Sequence, residues 1–265
     1  MKLSGLLEFL QDLAPFEYQE TYDNSGHLVG NPQDEIEGVV VSLDATEDVI
    51  DEAIALGANV VLSHHPIIFG GIKRLTGNNY VQRTVQKALL NNINLVAIHT
   101  NLDNVYNHGV STYLAELLGL ENTDILSPKP GLEYKKKAIG SGAIGTLSRE
   151  MDEKAFLDAL KSTLDLKTLK HTNLLNKPIK KVALCGGSGR FLLEEAKARN
   201  ADVFISSDFK YHEFFDAENQ IVIADIGHYE SERHTIRMLH EILTNNFSNF
   251  ASHYTKVNTN PVNYL

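Results

Sequence analysis

Short apolar runs rich in valine and isoleucine alternate with amphipathic stretches along this chain, and that alternation constrains its fold more than any other feature. EGVVVSLD at 37–44, NVVLS at 59–63 and NLVAIHT at 94–100 have strand length and are apolar on both faces. Between them, TEDVIDEAIALG at 46–57 and YVQRTVQKALLNN at 80–92 set apolar residues at helical spacing. Strands that are apolar on both faces need cover on both sides, so the pattern predicts a mostly parallel sheet flanked by helices. Thr46 suits the N-cap of the first of these helices and Gly57 its C-terminal stop.

A helix is expected over 110–118, followed by the polar stretch NTDILSPKPGLEYKKK at 122–137. With two prolines and a glycine, that stretch reads as a connection into a second unit. Strands are then expected at 138–147, 180–186, 202–207 and 219–226, and helices at 152–164, 192–200 and 229–243. ASHYTKV at 251–257 reads as an edge strand. The fold class is therefore α/β, with two α/β units and a boundary near 125. No run of 18 unbroken apolar residues is present, which argues against a membrane span. The N-terminal residues lack the continuous apolar core of an export signal. Cys185 is the only cysteine, so an intrachain disulfide is excluded and a reducing cytoplasm is the expected setting. A net charge of −10 argues against a broad nucleic-acid footprint.

Chemistry concentrates where strands end, the place where open α/β sheets gather ligands. LSHHPIIF at 62–69 ends a strand with His64 and His65, and Pro66 biases His65 towards extended backbone. The two imidazoles then project differently and could serve two metals; the plain alternative is a pair of polar strand caps. IHTNLD at 98–103 puts His99 and Asp103 in the same topological position one strand along. ADIGHYESE at 224–232 empties a third strand into His228, with Glu232 four residues on and, in a helix, on the same face. These nitrogen and oxygen donors suit Zn, Fe, Mn, Co or Ni, and a long carboxylate such as Glu232 can bridge and screen two ions. His99 reads as a residue that orients a ligand or packs, and is not counted among the ligands.

The segments YDNSGHLVG (22–30), LSHHPIIF (62–69), IHTNLD (98–103), SSDFKYHE (206–213) and GHYESE (227–232) resemble the dinuclear-metal-centre family of GTP cyclohydrolase 1 type 2 homologs. The resemblance implies His64, His65, Asp103, His228 and Glu232 as ligands of two divalent metal ions per chain, with Glu232 between the ions. It further implies two α/β domains around a metal-binding cleft. The first, 1–125 with 227–265, is completed by the C-terminal helix, and the second is 126–226. A toroidal homohexamer is implied as well. His27 and Ser207 depart from the family pattern, which more often has an aliphatic residue and a glycine there. His27 reads as an exposed loop residue.

Asp23 and Asn24 read equally as a turn or as cleft residues. Asp208 and His212, four apart, form a candidate catalytic proton-transfer pair or a support that orients a metal ligand, with a surface ion pair as the alternative. CGGSGR at 185–190 could admit a phosphate, but it matches neither dinucleotide nor P-loop fingerprints and reads more plainly as a tight turn. The leading functional reading is a cytoplasmic metal-dependent hydrolase that uses metal-activated water on a small heterocyclic or phosphate-bearing substrate. The alternative is a non-catalytic metal-binding protein with a structural or regulatory role.

Overall fold

A computed structural model describes residues 1–265. The chain forms two compact units, Met1–Leu102 with Thr235–Pro261, and Asp103–His234 with Val262–Leu265.

The first unit is built on a five-stranded sheet in the order Gly26–Val29, Asn94–Ala97, Val60–Ser63, Gly38–Ser42, Ala251–Tyr254. Its neighbouring strands pair parallel except at the Gly26–Val29 edge, which is antiparallel. Val40, Val61 and Leu95 pack against Val49, Ile50 and Ala53 of helix Glu47–Ala55 and against Val85 and Ala88 of helix Tyr80–Leu90. The intervening Val39, Val41, Val60 and Leu62 are fully buried too, as continuous apolar strands require. The helix starts follow capping chemistry. Thr46 accepts from the Val49 N–H and Asn79 from the Gln82 N–H, each such cap contributing about 1 kcal/mol.

Register fixes what leaves this sheet and where. Ser42 pairs with Ser63, and Ser63 with Ala97. The ladder runs on past the strands, with His64 N–H donating to the Ser42 carbonyl, His65 N–H to Leu43 and Ile98 N–H to Ser63. Asp44, His65 and His99 each lie two residues beyond that row, so three chemistry-bearing side chains leave one edge of the sheet side by side.

The second unit has a six-stranded sheet in the order Glu121–Tyr134, Lys137–Met151, Ile179–Ser188, Val203–Ser207, Val222–Asp225, Lys170–His171. Only the pairings of Val203–Ser207 with its two neighbours are parallel; the rest are antiparallel. One face packs on Leu114 of helix Val110–Leu117 and on Phe156 and Leu160 of helix Glu153–Thr163. The other packs on Leu193 and Ala196 of helix Leu193–Ala198 together with Phe209.

Three expectations change here. The stretch 122–137 is no connection: it supplies the outer strand of a long hairpin that turns at Lys135 and Lys136. Both turn residues have positive φ, the conformation that two-residue hairpins demand and that Asn-Gly usually supplies. Pro128 and Pro130 are tolerated because this strand lies at the sheet edge. The expected helix 229–243 is two helices, His228–Glu232 and His234–Asn246, which meet at Arg233. His27 also lies on a strand rather than in a loop, with its Nε2 3.3 Å from Asn94 Oδ1.

Asn94 is the polar pin of the first unit. Fully buried, it accepts from the Asn31 N–H and donates to the Asp34 carboxylate. Its Oδ1 lies 1.9 Å from where a Cβ on Gly30 would fall, so Gly30 must lack a side chain. Asn94→Ala should lower the denaturant midpoint by the equivalent of about 2 kcal/mol, because it removes several hydrogen bonds, one of them to a carboxylate. An unchanged midpoint would show that Asn94 is not a pin.

Candidate metal centre

In the first unit, each of three histidines has its Nδ1 tied to an oxygen acceptor. His64 Nδ1 donates to the Ile98 carbonyl at 2.8 Å, His65 Nδ1 to Asp44 Oδ1 at 2.8 Å, and His99 Nδ1 to Asp23 Oδ1 at 2.8 Å. An imidazole that donates through Nδ1 can bind a cation only through Nε2, so these bonds set both tautomer and ring direction. The three residues form a group able to hold a metal ion.

Asp23 and Asp44 are themselves held in place. The Thr259 hydroxyl donates to Asp44 Oδ2 at 2.6 Å. Asp23 receives the Thr100 N–H at 3.0 Å, the Thr100 hydroxyl and the Ser25 hydroxyl at 2.9 Å. Burial alone would raise the Asp23 carboxyl, but the bonds from His99 and Thr100 hold it well below the usual carboxylate range. Asp23 therefore has a role beyond turn formation, and Asn24 ties the same loop to the Ile68 carbonyl just after the paired histidines.

In the second unit, His228 opens a short helix and lies between two carboxylates. Its Nδ1 is 2.7 Å from Asp208 Oδ2 and its Nε2 is 3.1 Å from Glu232 Oε2. Asp208 takes a left-handed conformation, φ 61°, beyond the Val203–Ser207 strand. Burial would lower the His228 pKa, but the bonds to Asp208 and Glu232 outweigh it and raise the value to about 11. His228 thus stands between two carboxylates that favour its protonated form. A metal ligand must be a neutral imidazole, so an ion that binds there displaces a proton.

The CGGSGR loop is shaped around Glu232. Gly187 has φ 63°, and a Cβ there would fall 2.2 Å from Glu232 Oε1. The Gly187 N–H donates to the Ser231 hydroxyl, while the Ser206 and Ser207 hydroxyls donate to the Gly187 carbonyl. Ser207 thus secures the loop that admits the buried carboxylate. Asp103 and Glu232 both act on the Cys185 thiol, whose pKa is pushed up first by burial and then by these two charges. Cys185 itself packs as a small apolar group in the second unit's core. The His234 imidazole lies beside Tyr113, and desolvation lowers its pKa to about 4.

Asp208 and His212 do not sit on one helical face. Asp208 precedes the 3-10 helix Tyr211–Ala217 and bonds His228, whereas His212 packs against Tyr211 and stacks on Phe215. Sequence reading missed Asp44. The signal for it was positional, since it lies two residues beyond a strand row that also yields His65 and His99.

Residues 1–261 match the Duf34/NIF3 (NGG1p interacting factor 3) family. The chain belongs to that family. It is 35% identical over 233 residues to a Clostridium perfringens protein named GTP cyclohydrolase 1 type 2 homolog, with 88% of this chain and 87% of the relative covered. A Campylobacter jejuni protein of the same name is 36% identical over 246 residues, covering 92% and 93%. Among solved structures, Staphylococcus aureus protein SA1388 superposes with a TM-score of 0.91 at 30% identity, covering 100% of this chain and 99% of that one. Reduced HcgD from Methanocaldococcus jannaschii gives 0.78 at 27% identity, covering 97% and 98%.

Two measurements check this geometry in the NIF3-family chain. Calorimetric zinc titration at pH 8, in buffers of different ionisation enthalpy, should show release of about one proton from His228 on metal uptake. Affinity should accordingly fall as pH drops. Release of none would place His228 outside the metal set. Gly187→Ala should fold yet lose metal by at least about tenfold, because its Cβ displaces Glu232; wild-type affinity would refute the loop's role.

Proposed function

We propose that this NIF3-family chain is a metal-dependent hydrolase in which His64, His65, Asp103, His228 and Glu232 would hold two divalent ions. The observation that carries the reading is the Nδ1 bond of each histidine in that set, to Ile98, Asp44 and Asp208. Outer hydrogen bonds of this kind orient metal-binding imidazoles and raise their basicity. Glu232 adds a buried anionic donor next to His228 Nε2. When bound, the ions supply a water of lowered pKa and an electrophile for a substrate oxygen.

The chain's own residues then do the positioning. Asp44 and Asp208 fix ring directions, and Asp208 acts through His228 rather than on the substrate. His212 is left as the imidazole of the pair that could reach a substrate, standing among exposed Tyr211 and Phe215. A small heterocyclic or phosphate-bearing substrate fits this chemistry, and the relatives' name makes GTP the first compound to test. The proposed setting is the cytoplasm and the proposed assembly a homohexamer, as the family resemblance implies. No helix is long and apolar enough to cross a membrane.

The test pairs elemental analysis with turnover on nucleotide and phosphoester panels, using protein purified without chelator. Wild type should carry close to two transition ions and hydrolyse at least one compound. Glu232→Ala should lose metal and drop turnover at least about 100-fold. Two bound ions with no hydrolysis across the panels would leave a metal-binding protein that is not a hydrolase, and no metal after reloading would remove the site altogether.

A further inference from the structure

The buried carboxylate of Asp225 joins the two turns that carry Asp208 and His228. Its Oδ2 accepts the N–H of Phe209, the residue after Asp208, at 3.2 Å. Its Oδ1 accepts the N–H of Gly227, the residue before His228, also at 3.2 Å. A polar turn at a strand end needs only the bond to Gly227, two residues on. The bond to Phe209 crosses to the exit of the neighbouring strand, 16 residues earlier in the chain. Both turns need holding. Asp208 at φ 61° and Gly227 at φ 90° have positive-φ backbone, which costs a residue other than glycine roughly 1–2 kcal/mol. The Asp208 Oδ2–His228 Nδ1 contact of 2.7 Å depends on both turns at once. Lys170 supplies the counter-charge. It pairs with Asp225 from the edge strand Lys170–His171, its Nζ 2.7 Å from Asp225 Oδ2 and 5.8 Å from the centre of the Phe214 ring.

We infer that Asp225 is a positioning residue for the metal centre. Its two carboxylate oxygens hold the Asp208 and His228 turns where Asp208 can orient the His228 ring, with Lys170 as counter-ion. The inference rests on the proposed role of His228 as a metal ligand. It explains why a carboxylate stands here and not an amide. An asparagine has one acceptor oxygen, so its NH2 group would face one of the two N–H donors and free one turn. Asp225 acts through the Asp208–His228 bond rather than as a ligand, and a bond of that kind sets ring direction and raises ligand basicity. The two-residue strand Lys170–His171 also gains a role, since it delivers an ammonium to a buried carboxylate.

The test measures zinc affinity of the full chain by competition with a chromophoric chelator, and follows exchange of the His228 Nδ1–H with water in the zinc-loaded protein by NMR. Asp225→Asn should weaken zinc binding about 10- to 100-fold and speed that exchange. In an Asp208→Asn background the same substitution should change affinity less than about twofold, because the bond it maintains is already gone. A residue that only supports the fold would weaken zinc binding equally in both backgrounds, and that result would overturn the inference. If Asp225→Asn does not fold, Lys170→Met at the exposed end of the ion pair decides. Zinc binding weakened about 3- to 10-fold supports the inference, and unchanged affinity overturns it. Wild type that binds two ions beside an Asp225→Asn protein that binds them as tightly would overturn this inference alone. Wild type that binds none would overturn it together with the proposed function.

Discussion

Parallel pairing is the constraint on which the rest of the first unit depends. Strands that run the same way deliver their following residues to the same edge, about 4.8 Å apart from strand to strand. Because Ser42, Ser63 and Ala97 lie in one row, Asp44, His65 and His99 emerge as neighbours. A slip of one residue in any strand would turn its side chains to the opposite face. The continuous burial of Val39–Val41, Val60–Leu62 and Leu95–Ala97 holds the sheet in place, so the same apolar residues that make the core set the geometry of the histidines. The second unit repeats the device on a smaller scale. Ser206 pairs with Asp225, which brings Asp208 alongside Gly227 and within reach of His228.

The two units contribute different chemistry. In the first, buried or half-buried acceptors commit the Nδ1 atoms of three imidazoles. In the second, Glu232 is buried beside His228, and the glycine loop gives way to it. Holding such charges away from water costs stability unless each is paired. Metal binding to the folded state alone would return stability in proportion to the logarithm of ion concentration over Kd.

Much of this was legible in the sequence because it follows from periodicity and from where strands end. The α/β alternation, the edge strand Ala251–Tyr254 and the placing of His64, His65 and His228 just beyond strands come from those two signals. The hairpin Glu121–Met151 was not legible, since Pro128, Pro130 and Gly131 are loop signals and only a sheet edge makes them tolerable. Asp44 was hidden because a carboxylate after a strand is common, and its partner lies 21 residues on across a parallel pair. Sequence reading allowed Asp208 to support a ligand but not which one, since the link to His228 spans 20 residues and depends on a left-handed backbone at Asp208. In each case the missing information was a contact between segments distant in sequence.

The central claim is that Nδ1 bonds from the fold preset these histidines for metal. It is tested most directly by two-bond 1H–15N correlation spectra of the zinc-loaded protein, with His64, His65 and His228 assigned by single substitution. A protonated Nδ1 and a metal-shifted Nε2 are expected for all three rings. Metal on Nδ1, or a proton on Nε2, at His64, His65 or His228 would contradict it.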